Sequence, residues 1–553
     1  MIRRKMNMLR RKFISAVLVA AFVLPITALG QAAAPAVYTA PKETIDKIRD
    51  EGMNRSQVMQ TLSYLTDVIG PRLTGSPNMK RANEWTRDKM KEWGMQNADL
   101  ESWGPFGRGW SLRKFSATII DPQYVPVIGF PSAWSPSTKG AVTGEVVHLS
   151  AKTPEDLAKY KGQLAGKIVL VSNERPLKPL DKPLMNRMSD EDLAKLAAAP
   201  DPAASGDSGN PPPAMIKNFV DSMNFQAKKM KFLIDEGAAV MLENSNNGSG
   251  GTIFVQGASV GVEMGEIKTI EDIFNAAAFQ PHVKKWEANM MPQVTLATED
   301  YNRLVRMIKL GAKPRMTVEI DSQFHDDDPM QYNTVAEIPG SDPALKDEVV
   351  MLGGHLDSWH SGTGATDNGA GCAAVMEAAR IIIASGLKPR RTIRVALWSG
   401  EEQGIFGSTN YVKKHFGEKK DGTLVKGPDF DKLSAYYNLD NGTGKIRGVY
   451  MQGNAAVRPY FEAWLAPFAD LGAKTLTLSN TGGTDHLPFD GIGLPGFQFI
   501  QDAVEYNTRT HHSNQDNFDR IQADDMKQSA TIIAAFAYQT AMMDGKLPRK
   551  AMK

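Results

Sequence analysis

The sequence has a single cysteine, Cys372, so no intrachain disulfide can form and the fold must be held by its packed core. It also has almost no net charge: 64 Lys and Arg against 62 Asp and Glu leave +2 over 553 residues. So weak a field does not attract a phosphate backbone, and no Lys/Arg cluster lies beyond the N-terminus, which excludes nucleic acid as an expected partner. Past the N-terminus there is no apolar run long enough to cross a membrane. No internal repeat is visible, which excludes a repeat array. Hydrophobic residues at 42% and charged residues at 23% are ordinary for a globular chain, which excludes wholesale disorder and a polytopic membrane protein. The length exceeds what one core can serve, so two or three domains are expected.

Arg3, Arg4, Lys5, Arg10, Arg11 and Lys12 precede an apolar run over 13–29, then small residues near 30–34. This predicts an export signal over residues 1–31 and a periplasmic or extracellular location, without stable membrane insertion after cleavage. Arg10-Arg11-Lys12-Phe13-Ile14 resembles a twin-arginine signal, which would carry the chain across already folded. An uncleaved anchor is the rival reading, but the run is shorter than the ~20 residues a span needs and Pro25 interrupts it. Cys372 follows a glycine turn and opens an Ala-rich helix, where a small buried residue packs well, so it reads as structural and not as a nucleophile.

Helical spacing over 56–68 and 79–93, then an extended 115–120, predicts the first part of an α/β domain over 32–135. Short β-rich runs at 144–149, 167–171 and 238–242 predict a separate module over 136–320, with exposed loops at 200–213 and 244–251. From 321 to 553, strands near 348–352, 392–398, 435–439 and 496–500 alternate with helices near 370–384 and 404–415, and a helix over 526–543 closes the chain. Such alternation predicts a doubly wound, largely parallel sheet.

The polar clusters fall where these strands end, which is where open α/β sheets bind ligands. His355 and Asp357 lie two residues apart, on one side of an extended chain, so the carboxylate could orient the imidazole. Asp367 lies on a glycine-rich turn entering a helix; alone it would read as an N-cap, but such a turn also holds a carboxylate rigidly enough to bridge two cations. Glu401 and Glu402 end an apolar strand abruptly. They either favour a helix dipole or divide the work of metal ligand and general base. Asp440 ends a third apolar strand, and His511 and His512 form a fourth cluster with Asp516. Two imidazoles and several carboxylates suit zinc.

Gly354-His355-Leu356-Asp357-Ser358, Thr366-Asp367-Asn368-Gly369-Ala370-Gly371, Ser399-Gly400-Glu401-Glu402-Gln403-Gly404, Asn438-Leu439-Asp440, Thr484-Asp485-His486-Leu487-Pro488-Phe489 and His511-His512-Ser513-Asn514-Gln515-Asp516 occur in this order. In these motifs, and over nearly all of the mature chain, the sequence resembles the co-catalytic zinc aminopeptidases and glutamate carboxypeptidases, in particular their carboxypeptidase Q-like branch. The resemblance implies a three-layer α/β/α peptidase domain with a mostly parallel mixed sheet and an inserted β-rich protease-associated domain. It implies two zinc ions per chain, one held by His355, Asp367 and Asp440, the other by Asp367, Glu402 and His512. Glu401 would be the general base and Asp357 would orient His355; His511, Asp485 and His486 would contact substrate. The expected activity is exopeptidase cleavage of dipeptides or short peptides, by a monomer or a homodimer, with aminopeptidase action on the same metals as the alternative.

Other readings fare worse. Ser205-Gly206-Asp207-Ser208-Gly209 looks like a serine-protease signature, but it lies in a Pro/Ala-rich loop without triad partners. A glutaminyl cyclase uses a single zinc, whereas both halves of the ligand set are present here. A non-catalytic binding relative would have lost ligands or base. The acids at 326–328 read as a solvated connection between domains.

Overall fold

The computed structural model describes residues 37–202, 212–265 and 279–550, with residues 267, 272 and 276 between them. The expected export signal over 1–31 and the 205–209 run lie outside the described residues. Among the described residues, two eight-stranded sheets organise the chain. At the centre of the first, the strands Thr392–Trp398, Val349–His355, Leu433–Asn438 and Gly496–Gln501 run parallel as neighbours. Gln331–Ile338 and Gln96–Trp103 extend one side antiparallel, while Ile446–Tyr450 and Thr475–Thr477 extend the other.

All residues of Val349–His355, Leu433–Asn438 and Gly496–Gln501 are buried, so these strands read as apolar runs and not as alternating ones. Met351, Trp398 and Tyr436 pack on one face with Tyr411 and Val412 of the helix Phe406–His415. The helices Ala370–Ala384 and Ala523–Met542 pack on each other and on the sheet. The mixed α/β architecture is thus the expected one.

The second sheet runs in the order Val125–Pro126, Gly109–Asp121, Arg315–His325, Val142–His148, Ile168–Leu170, Val240–Asn244, Gln293–Leu296, Gly129–Pro131. Ile168, Leu170, Val240, Leu242, Val294 and Val318 form its core with Tyr301 and Leu304 of the helix Thr298–Lys309. Met230 and Leu233 of the helix Pro213–Asp235 pack with Met241 in a second cluster. Residues 115–120, expected in the first region, belong to Gly109–Asp121, which pairs along its length with Arg315–His325 in this second sheet. The strands on either side of the excursion, Gln96–Trp103 and Gln331–Ile338, pair with each other. Gln96–Trp103 escapes the periodicity reading because an edge strand that is mostly open to solvent carries Gln96, Asn97, Asp99 and Glu101. The acids at 326–328 are exposed at the return crossing, where Asp326 pairs with Arg108 and Lys284.

One glycine in this framework is fixed by close approach. A Cβ on Gly371 would lie 2.2 Å from the Leu439 carbonyl oxygen and 2.3 Å from Asn368 Oδ1. In an exposed helix Gly→Ala gains about 1 kcal/mol, but overpacking costs about 1–3 kcal/mol, so the clash decides the sign. Gly371→Ala is expected to lower the urea midpoint at unchanged m-value, and a rise in midpoint would refute this packing.

Candidate metal centre

The carboxyl ends of the parallel strands deliver the predicted residues to one edge of the sheet. His355 is the last residue of its strand; Asp440 lies two residues beyond Asn438, and Glu401 and Glu402 follow Trp398 closely. His511 and His512 come from the turn after Gly496–Gln501 and a short helical segment, Tyr506–Thr510. Asp367 lies in the tight segment before Ala370–Ala384, with non-helical backbone and a cis peptide to Asn368.

Asp367 divides its carboxylate between two groups. Its Oδ1 is 3.1 Å from His355 Nε2, which is also 3.4 Å from Asp440 Oδ1. Its Oδ2 is 3.2 Å from His512 Nε2, which is also 2.9 Å from Glu402 Oε2. His511 is more distant, 3.7 Å from Asp367 Oδ2, and its side chain is 42% exposed against 21% for His512. Glu401 Oε2 stands 4.0 Å from His355 Nε2. The structure therefore brings together every residue expected to hold metal, together with Glu401.

Asp357 acts differently from the expectation. Its backbone carbonyl, and not its carboxylate, meets His355 Nδ1 at 3.0 Å; carboxylate Oδ1 is 3.6 Å away, too far for a hydrogen bond. The carboxylate instead accepts from the backbone N–H groups of Glu401 and Glu402, both at 3.2 Å, and from Thr74 Oγ1 at 3.0 Å. It thereby fixes the turn that presents both glutamates. Asp485 and His486 are fully buried: Asp485 accepts from Ser408 Oγ, and His486 Nε2 meets the Thr481 carbonyl. Cys372 is buried beneath the site, its Sγ donating to the His355 carbonyl, and burial pushes its thiol up to about 12.

Two supporting residues carry no role in the sequence reading. Asp516 accepts from the backbone N–H groups of Thr366 and Asp367, which holds the shared aspartate from behind. Arg72, fully buried, donates to the carbonyls of Leu356, Thr363 and Gly364 and so braces the loop between His355 and Asp367. Asp516 was within a recognisable motif; Arg72 had no comparable signal, because its partners are backbone oxygens far away in sequence.

The electrostatics show what the cluster needs. Burial raises Glu401 well above the carboxylate range, and Asp440, Asp485 and Glu402 push the same way. Burial lifts Glu402 to about 7, with Asp367 adding to it, and Asp485 to about 8. Burial opposes charge on His512, yet Glu402 and Asp367 hold it at about 10. Carboxylates outnumber imidazoles, and the buried Glu402 Oε1 has no hydrogen-bond donor. Among the described residues the donor atoms converge in two groups, His355 with Asp367 and Asp440, and Asp367 with His511 and His512, the latter 2.9 Å from Glu402; with surplus negative charge and an unpartnered oxygen, this donor set fits a pair of zinc ions.

Beside the centre opens a cavity of about 690 Å³, within the range of small-molecule sites. Asn507, His511 and His512 line it together with residues of the second sheet and its loops. His512 is in the left-handed region, φ 61°, where a non-glycine residue needs outside support. Val255 N donates to its carbonyl at 3.2 Å, and Gln256 Nε2 is 2.9 Å from its Nδ1.

Residues 333–537 match the family model for peptidase family M28. Carboxypeptidase Q from Xenopus laevis is 30% identical over 515 residues, spanning 92% of this chain and 90% of that protein. Among solved structures, a peptidase M28 precursor from Shewanella amazonensis shares the fold at a TM-score of 0.61, with 22% identity over 92% of this chain and 99% of that one. A zinc aminopeptidase from Bacillus subtilis shares it at 0.51, with 16% identity over 88% and 94%. The chain belongs to peptidase family M28 and is a zinc-dependent hydrolase.

Proposed function

We propose that the protein is an exported di-zinc exopeptidase acting on dipeptides or short peptides, as its relatives' name carboxypeptidase Q suggests. The observation that carries this reading is the divided carboxylate of Asp367, whose two oxygens face His355 and His512 separately. His355, Asp367 and Asp440 would hold one ion; Asp367, Glu402 and His512 would hold the other. When bound, the pair supplies Lewis-acid activation of water and of the scissile carbonyl.

The chain's own residues do the rest. Glu401 has no hydrogen-bond partner among the described residues committing its carboxylate, and it is placed to accept the proton of the attacking water and return it to the leaving amine. Asp357 holds Glu401 and Glu402 by their backbone N–H groups, so base and ligand keep their spacing. His511, packed at a tilt against Tyr506 and lining the cavity, would steady the substrate. Asp485 and His486, buried away from the cavity, support the site from behind.

The excursion between Trp103 and Gln331 would be the inserted protease-associated domain, forming the far wall of the cleft. Export to the periplasm or the medium is inferred from the basic and then apolar opening of the sequence. The described residues contain no helix long and apolar enough to cross a membrane.

Glu401→Gln should retain about two zinc ions per chain by elemental analysis while turnover falls about 10²- to 10⁴-fold; near-normal turnover would remove Glu401 from the role of base. Asp367→Asn weakens both ion sites at once, so its zinc content is expected to fall below that of His512→Ala, which spares the other group. Equal zinc content in the two variants would argue against a bridge. The substrate terminus is read with an N-acetylated peptide, a C-amidated peptide and free dipeptides. Cleavage of the acetylated peptide and dipeptides but not the amidated one is expected, and the reverse would make the enzyme an aminopeptidase.

A further inference from the structure

Among the described residues, Glu243 is the one acidic residue lining the cavity that His511 and His512 also line, and no lysine or arginine lines it. It lies one residue before the end of the strand Val240–Asn244, whose register sets it opposite Thr295. Alternation places it on the same face as Met241, which packs with Met230 and Leu233, so its carboxylate emerges at the margin of an apolar cluster. That carboxylate takes part in no hydrogen bond or ion pair with a described residue. Lys229 is the cation whose charge reaches it, yet the two form no ion pair. Lys229 Nζ lies 3.5 Å from the Val171 carbonyl and 4.8 Å from the Phe225 ring centroid. Burial raises the pKa of Glu243, so the charged form gains from any cation arriving in the cavity.

The strand end is also tied to the metal centre. Ser245, two residues on, accepts from the Phe254 N–H through its Oγ at 2.9 Å. Phe254 bridges to Ser513, and Val255 donates to the His512 carbonyl. Glu243 and the His512 turn are thus fixed relative to one another through a short hydrogen-bonded path.

We propose that Glu243 is a specificity residue that receives a protonated amine of a short peptide whose scissile bond lies at the metal centre. The inference rests on the peptidase reading of that centre and names the substrate group it selects. A half-buried carboxylate without a hydrogen-bond or ion-pair partner among the described residues, on a cavity whose described lining includes no lysine or arginine, favours a cationic ligand group. The amine could be the α-ammonium of the peptide or a lysine side chain, and the test separates them.

Zinc-loaded Glu401→Gln protein, which binds with little turnover, is titrated calorimetrically with Ala-Ala, acetyl-Ala-Ala and acetyl-Lys-Ala, with and without Glu243→Gln. Loss of the carboxylate should weaken Ala-Ala binding about 10-fold or more and leave acetyl-Ala-Ala unchanged if the α-amine is the ligand. A selective loss with acetyl-Lys-Ala instead assigns the side-chain amine. Equal weakening of all three peptides, or of none, overturns the proposal. Lys229→Met in the same background controls for the buried charge: it should leave the preference for amines intact, and its abolition would show that Glu243 serves Lys229. Turnover of the same peptides by the unaltered enzyme is followed in parallel. No turnover alongside a selective binding loss would remove the exopeptidase reading and leave amine recognition standing; turnover with unselective loss would do the reverse.

Discussion

The centre depends on one carboxylate serving two sides. Asp367 gives Oδ1 to the His355 group and Oδ2 to the His512 group, and a side chain can do this only if its backbone cannot turn. The restraint spreads outward from it. Asp516 holds its N–H, Arg72 holds the loop before it, and Asn368 Nδ2 donates to the Leu439 carbonyl beside Asp440. Around this point Glu401, Glu402, Asp440 and Asp485 crowd negative charge into a region of low polarizability, where like charges repel far more than in water. Protons or dications relieve that repulsion, so metal uptake and proton release are coupled in such a site. The geometry is therefore costly without its metals and well defined with them.

The parallel sheet explains why these residues meet at all. Four neighbouring strands running in one direction end on one edge, so residues separated by more than a hundred positions arrive together. The second sheet contributes from the opposite side. Its loop carries Phe254, Val255 and Gln256 onto the His512 turn, and a strap at Asn186 pairs with Val504 upstream of that turn. Arg187 and Met188 extend the strap's hold through Asp502. His512 is thus held by both sheets, while His355, Asp367, Glu402 and Asp440 come from elements of the first.

What was legible in the sequence follows from this arrangement. The central strands were visible because burial on both faces makes them continuous apolar runs, and each ligand cluster was visible because it interrupts such a run. Gln96–Trp103 was not, because an edge strand open to solvent carries polar residues. The crossing into the second sheet was displaced for a related reason: residues 115–120 look like any strand, and only pairing with Arg315–His325 shows which sheet they join. Arg72 was hidden because its role depends on partners that folding brings to it. Asp357 was found by its spacing, but spacing could not tell that its carbonyl would face the imidazole and its carboxylate the glutamate turn.

The two sheets divide the work in a way that separates chemistry from selection. Groups that must keep their spacing to a fraction of an ångström are anchored on buried strands and held by hydrogen bonds to backbone. The cavity beyond them is lined by Ser132, Asn244, Asn246 and Thr295 from the second sheet and its loops. The turn at His512 is one place where the two meet, since its backbone accepts from Val255 while its imidazole faces Asp367 and Glu402; Trp359 against Trp134, and His360 Nε2 on the Pro131 carbonyl, are others. Contact between the far wall and the centre therefore runs through Val255, Gln256 and the strained backbone of His512, and through Trp359, which packs on both Trp134 and the His512 ring.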